Sequence, residues 1–576
     1  MNRELVGNPP TVGICTAIDP RTYPVSGVPE GSVKAQQMPV VMNRLDKVVR
    51  LAETIEMYDG TKLKVVKGSV PVGGPRDAAI VQKEFEQAGV SIVINSMSTW
   101  SMGWETAFFG HPEWITAYEA MNGTAWPGAV LLNSKRASAT AHKNPVFCVY
   151  PPDVEDMDPA APLHPESIKK ITQFLKCAGS VIIMRGKSYA SIGHVSMGIA
   201  GSELVSDILA RWFGMKLAHV DQIEVLMRIQ KEMYDKDEAK KATEWFFESF
   251  GGRIDPKGKR NGLDVIKLVD FLVPMTLVVR DIMRGNDVIG DEERSQGTNA
   301  LFGGTAGQRY WTDWYPNFDF PEAINSSTFD WNGLRAPIVH ATENDFMNGM
   351  GMQWGVMLTG FSALFADLRT YWSPKKIKEA TGFDMSSVAP TGFLHLINSG
   401  PAALDWATDP ALLPAEERMQ QAIEGTEWHP AGLGYFPADG LSTHFVTPGE
   451  LPITMIRFNR IGQDVTLTVI EGHTVELPEN VADYVRMRTD PTWPDTFVRA
   501  DNIDTFDVMS RGIDPNHVSA AIGHIGEEVM IMAAMLRIPV DYHNINIAEN
   551  RIFRPTLWTR LGGDREVCKA LGPLYA

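Results

Sequence analysis

The chain has 576 residues, too many for one hydrophobic core, and its length implies about three or four domain-sized units. Hydrophobic residues make up 44% and charged residues 21%, which excludes a disordered, collagenous or coiled-coil protein. Seventy acidic against 53 basic residues give a net charge of -17, which excludes a non-specific nucleic-acid binder because such proteins need a positive field toward phosphate.

In chain order, VGIC (12–15), VSIVINS (90–96), GAVLLNS (128–134) and VFCVY (146–150) are short apolar runs bounded by turn residues, and each predicts a strand. AAIVQKEFEQAG (78–89) predicts a helix with a glycine C-cap. Apolar strands without alternation are covered on both faces, as in a parallel α/β unit. The acidic, proline-rich PPDVEDMDPAAPLHP (151–165) breaks the pattern, and a second α/β pass is expected to begin at SVIIMRG (180–186). The charged segment 221–250 predicts helices with solvated faces, and 266–285 a long buried helix. IVHATEND (338–345) predicts a strand entering a loop, followed by a closely packed Met- and Gly-rich helix over 346–360. Residues 409–434 suggest an excursion over the surface. Period-two alternation in ITMIRFNR (453–460) and DVTLTVIEGHTVELP (464–478) then predicts antiparallel strands of a sheet or barrel.

The four cysteines, at 15, 148, 177 and 568, form no C-x-x-C pair, which favours a reducing compartment. No apolar h-region follows the N-terminus and no apolar run approaches twenty residues, so the expectation is a soluble, cytoplasmic protein without a membrane partner. Neither G-x-G-x-x-G after a strand, nor the P-loop, nor G-x-S-x-G is present. The glycines of VGGPRDAA (72–79) fit a tight turn before a helix as well as they fit an anion site.

Three polar residues stand in apolar or glycine-rich surroundings. Glu343 closes a strand, where α/β sheets bind ligands; helix capping explains Asn344 or Asp345 but not Glu343. Asp367 lies inside FSALFADLRTYWSP and needs a metal or an ion-pair partner, for which Arg369 is at hand. His524, between glycines in G-H-I-G, fits a core histidine or a ligand. Two carboxylates and an imidazole suit a divalent ion such as Mn²⁺, although no spacing shows that they converge.

At these residues the chain resembles the L-fucose isomerase family over nearly its full length. The likeness is densest in RGKSYASIGHVSMGIAG (185–201), GQRYWTDWYPN (307–317), STFDWNGLRAP (327–337), ATENDFMNG (341–349), ADLRTYWSP (366–374), LHLINSGPAALD (394–405) and IGHIGEE (522–528). The resemblance implies two N-terminal α/β, Rossmann-like domains (1–176 and 177–358) and a C-terminal domain with a β-barrel-like antiparallel part (359–576). It implies one Mn²⁺ per site held by Glu343, Asp367 and His524. It further implies a homohexamer in which Trp100 completes a neighbouring subunit's site. Substrate contacts carry over onto Ser399, Tyr435 and Asn516, and less directly onto Arg21 and Gln308. Two departures bear on the sugar preference: Cys15 replaces a basic residue near the N-terminus, and Phe497 stands where better-known members have Trp. A Phe keeps an apolar wall but loses the indole N–H.

The activity so implied is interconversion of L-fucose with L-fuculose, and of D-arabinose with D-ribulose. Glu343 and Asp367 would be the acid–base pair around an enediol, with a hydride shift as the rival. Trp493 is a further candidate for a sugar-facing wall, whereas His395 is assigned a structural role. Two other classes make distinct predictions. An isomerase for another aldose would differ in its ligand set, and a non-catalytic sugar-binding protein would need no metal.

Overall fold

The computed structural model describes all residues except 1–2, 22–32, 105–112, 124–127, 129–131, 133, 136–137, 139–145, 156–157, 257, 259, 261, 398–400, 411–413, 490–492, 512, 514, 546–571 and 576. Five strands near the N-terminus pair in parallel in the spatial order Lys64–Lys67, Thr11–Thr16, Ile92–Met97, Ile115–Ala120, Val146–Val149. The central ones are buried residue by residue, as a doubly covered sheet requires. The helix Pro75–Ala88 opens after Gly74, with no side-chain cap, and closes on Gly89 at φ 69°, so the glycines of 72–79 make the tight turn.

Two of the expected strands are helical. Gly128, Leu132 and Ser134, the described residues of GAVLLNS, are helical, and the strand of this region is Ile115–Ala120. Its sequence, ITAYEA, hides the strand because Glu119 is polar yet buried, paired with Arg44 and accepting from Ser96 Oγ at 2.8 Å. SVIIM is the last part of the helix Pro165–Met184, and the second sheet starts at Ser188–Ile192. That helix is buried along most of its length, so its apolar run carries no helical period to distinguish it from a strand.

The second sheet is also parallel, in the order His340–Ala341, Ala300–Thr305, Ser188–Ile192, Lys216–Val220. The expected helices follow at Gln222–Gln230, Lys236–Phe250 and Val265–Arg284. The stretch 409–434 is more regular than expected: it holds the helix Ala415–Gly425 and the strand Glu427–Pro430, which pairs with Leu441–His444.

The C-terminal part is a closed barrel. Pro452–Ile461, His517–Ile522, Ala363–Trp372, Phe393–Ile397, Asp495–Ala500 and Asp464–Thr474 follow one another antiparallel, and the last pairs back onto the first. Closure leaves no strand of the ring with only one neighbour, and Val540–Tyr542 pairs in parallel along Leu467–Val469.

The helix Phe346–Thr359 wedges between the second sheet and the barrel, buried on all sides until its last turn. A Cβ on Gly351 would stand 2.3 Å from Ser519 Oγ, and one on Gly355 2.7 Å from Ala521 Cβ, so glycine lets the barrel wall come this close. Glu343 sits just before this helix. Among the described residues no helix is long and apolar enough to cross a membrane.

Candidate active site

Two consecutive residues at the end of the second sheet have left-handed backbone, Glu343 at φ 58° and Asn344 at φ 55°. Such conformations cost about 1–3 kcal/mol each and persist where the surroundings impose them. Here Tyr189 Oη donates to Asn344 Oδ1 at 2.6 Å, and Asn344 Nδ2 donates to Ser191 Oγ at 2.8 Å. Thr342 Oγ1 donates to Glu322 at 2.8 Å on the other side. The turn thrusts Glu343 out of the sheet toward the barrel.

Asp367 lies in the strand Ala363–Trp372, and the register sets it directly opposite His517, the first residue of His517–Ile522. His517 Nε2 is 3.4 Å from both Glu343 Oε2 and Asp367 Oδ1. Its other nitrogen, Nδ1, lies 2.8 Å from Asp345 Oδ2, which also accepts from Arg457 at 2.7 Å. Asp345 cannot donate, so Nδ1 carries the proton and Nε2 turns to the two carboxylates. Asp345 meanwhile caps the following helix through Oδ1, accepting from Asn348 N.

Electrostatics sharpen the picture. Burial, helped by Asp367 and Asp345, pushes the Glu343 carboxyl up to about 7. Burial would also raise Asp345, but Arg457 and His517 hold it well below the usual carboxylate range. Burial opposes charge on His517, yet its carboxylate neighbours raise it. Gln308 Nε2 donates to Glu343 Oε1 at 2.8 Å, and Asn516 Nδ2 to Asp367 Oδ1 at 2.6 Å. Glu343 Oε2 is buried with no hydrogen-bond partner. A partnerless buried oxygen, a second carboxylate and an imidazole lone pair aimed at one point demand positive charge there. A divalent cation fits that demand and the donor set.

The structure does not bring His524 to this point. It lies beyond the far end of the strand that His517 opens, roughly 17 Å along at ~3.3 Å per residue. There His524 Nε2 is 3.2 Å from Asp501 Oδ2, and its ring meets His473 edge-on at 4.9 Å. The place expected for His524 beside Glu343 and Asp367 is taken by His517. The available signal was adjacency: Asn516, already a candidate contact, precedes it. His473, Asp501 and His524, like Glu427, His429 and His444, form clusters whose donor types also suit a divalent ion. In each an arginine competes, Arg499 at Asp501 and Arg486 at His444.

The other candidate contacts divide. Arg369 Nη1 is 3.6 Å from Asp367 Oδ2, and its guanidinium lies 6.0 Å from the Trp493 ring, which meets Tyr435 at 5.6 Å. Tyr435 is exposed whereas Trp493 is buried with Ile397, Ala431 and Phe436, so this run of contacts leads from Asp367 through a buried indole to one open aromatic face, that of Tyr435. Arg21 pairs with the buried Asp19, and Trp100 is 42% exposed on the N-terminal domain. Phe497 does not line an opening: it is fully buried against Phe393 and His395. His395 bonds Asp495 at 2.7 Å inside the barrel. Cys15 is buried in the first sheet. Ser399 lies outside the described residues.

Three family models cover most of the chain in order: L-fucose isomerase, first N-terminal domain, at residues 9–186; second N-terminal domain at 187–360; and C-terminal domain at 396–544. The chain belongs to the L-fucose isomerase family. It is 36% identical to the L-fucose isomerase of Phocaeicola vulgatus, over 98% of this chain and 99% of the relative. To those of Clostridium perfringens and Escherichia coli O9:H4 it is 37% identical, over the same shares of each chain. The family spans meet at residues 186 and 187, just after the helix Pro165–Met184, so the two α/β matches divide where the second sheet begins.

Proposed function

We propose that this chain is a metal-dependent aldose–ketose isomerase acting on L-fucose and D-arabinose, with Glu343, Asp367 and His517 holding one Mn²⁺. The observation that carries the reading is the convergence of these three side chains from three separate elements. The substrate class rests on the relatives, which are named L-fucose isomerases. The two sugars differ only at C5, by a methyl group, which an apolar pocket discriminates by about 10–200-fold, so both are turned over.

The bound metal would polarise the open-chain carbonyl and absorb the charge that develops on its oxygens. The protein does the rest. Glu343 and Asp367 form the acid–base pair that takes the C2 proton and returns one to C1 through an enediol. Gln308 and Asn516 fix the carboxylate orientations, so proton transfer starts from a set geometry. Asp345 is a positioning residue that keeps the His517 lone pair pointed inward. Tyr435, backed by the buried Trp493, supplies a wall for the C–H face of the sugar, and Ser399 and Arg21 are the further candidates for hydroxyl contacts. The assembly is a homohexamer in the cytoplasm, with the exposed Trp100 contributed to a neighbouring subunit's site.

The test is a steady-state assay on metal-stripped enzyme, with either sugar and with Mn²⁺ restored. Turnover that returns with Mn²⁺ and is lost in Glu343→Gln supports the reading; tight metal binding without turnover of either sugar overturns the substrate assignment. Running the reaction in D₂O separates the chemistries, because an enediol takes up solvent deuterium at C1 of the ketose, or at C2 of the aldose formed in reverse, and a hydride shift does not.

A further inference from the structure

At the amino ends of the central strands of the second sheet, the N-terminal residues 3–10 close over a cleft of about 580 Å³ lined by Arg3, Asn8, Asp59, Thr61, Lys187 and Arg284, among others. Lys187 immediately precedes the strand Ser188–Ile192, and Arg284 ends the helix Val265–Arg284. Lys187 is only 7% exposed, and its ammonium donates to Val6 O at 3.0 Å. Arg284 donates weakly from Nη2 to Leu301 O at 3.4 Å, and its Nε is buried with no partner. Neither cation has a carboxylate within ion-pair distance among the described residues. The acids of the cleft, Glu4 and Asp59, are exposed at its rim, and Asp59 already accepts from Thr61 N. Arg3 is spent on Asp287.

A buried ammonium beside a largely buried guanidinium, with Asp59, the carboxylate that acts on both, exposed at the rim, is costly. Burial and then repulsion from Arg284 disfavour the charged form of Lys187, and burial does the same for Arg284; Asp59 opposes both shifts without reversing them. The C-termini of Val265–Arg284 and Pro165–Met184 add about half a negative charge each, and Asp59 adds more from a distance, but none of these gives either cation a direct ion-pair partner. A guanidinium fork beside an ammonium is the pairing that suits a phosphate dianion. The volume exceeds that of inorganic phosphate and lies in the usual range of about 300–1,000 Å³ for small-ligand sites.

We propose that this cleft is an anion site for a phosphate-bearing small molecule, such as a phosphorylated sugar or a nucleotide, gripped by Lys187 and Arg284. It is separate from the Glu343 site: strands Ser188–Ile192 and Ala300–Thr305 run from one to the other, about 13–17 Å at ~3.3 Å per residue. The proposal does not depend on which sugar the enzyme turns over.

The experiment is calorimetric titration of the full-length protein with inorganic phosphate and with glucose 6-phosphate, at constant ionic strength. Wild type, Lys187→Met and Arg284→Gln are compared. Saturable binding of one anion per chain is expected, tighter for the sugar phosphate and weakened at least tenfold in either variant, with isomerase turnover retained. Lys187→Met should also melt higher than wild type in phosphate-free chloride buffer, since it removes a buried charge that has no ion-pair partner among the described residues. That melting comparison stands even if Arg284→Gln does not fold. Absence of binding below about 10 mM, or equal binding to wild type and variants, overturns the proposal.

Discussion

The strand His517–Ile522 separates two groups built from the same residue types. At its start, His517 faces Glu343 and Asp367, with side chains 3%, 5% and 13% exposed. Past its end, His524 faces Asp501 and His473, and its side chain is 38% exposed. At the second group Arg499 sits 3.2 Å from the single carboxylate, so the local charge is already balanced. At the first, Arg457 is matched by Asp345, and Arg369 reaches only the outer oxygen of Asp367. Glu343 is left buried with no arginine or lysine among the described residues paired to it, and its Oε2 accepts no hydrogen bond. The contrast teaches that the same donor types can sit in opposite electrostatic settings: one group is balanced by an arginine near solvent, the other holds a carboxylate oxygen away from water with no hydrogen bond.

The sharpest way to break this comparison is to neutralise one carboxylate in each group. Glu343→Gln keeps the shape and should lower turnover about a thousandfold in the steady-state assay. Asp501→Asn should leave turnover within about threefold. Next in size is exchange of the histidines: His517→Ala should weaken Mn²⁺ binding by at least a hundredfold, read by metal titration, and His524→Ala should not change it. Equal losses would show that the two groups act as one.

Asp345→Asn tests the tautomer argument. Loss of the acceptor at Nδ1 should weaken metal binding about 10–100-fold, the usual effect of removing such a support. It should also lower thermal stability, because Arg457 is left buried without its partner. A stability loss with unchanged metal affinity would make Asp345 structural only.

The smallest effect is with pH. Glu343 stands at about 7 in the metal-free protein against an ordinary value near 4.5, so the folded state holds a proton that the unfolded chain gives up in that window. Stability from this carboxyl is therefore present below pH 4.5 and lost as pH rises toward 7. Metal binding must displace the same proton, so Mn²⁺ affinity should rise with pH below 7, by at most about tenfold per unit. A flat affinity between pH 5 and 7 would remove Glu343 from the ligand set.

Much of this was legible in the sequence, where period and burial agree. The alternating strands 453–460 and 464–474 and the Met- and Gly-rich helix lie where their patterns put them. Pattern failed where burial erased it. SVIIM has no polar face because its helix has none, and ITAYEA carries a charge inside the sheet because Arg44 meets it there. The expected His524 failed for another reason. Local glycines single it out, but only the antiparallel register between residues 363–372 and 517–522 reveals which histidine Asp367 confronts. Phe497 likewise points into a core that forms only when the barrel closes.

The helix Phe346–Thr359 has a consequence for how the molecule comes apart. Glu343 hangs from its N-terminal end on the α/β side, while Asp367 and His517 belong to the barrel, so a single cation would be gripped by both bodies at once. Saturating metal stabilises only the docked form, by mass action. Two units that could melt separately would then melt as one cooperative transition. The ion would act as a rivet as well as a reactant, and stripping it would split one thermal transition into two.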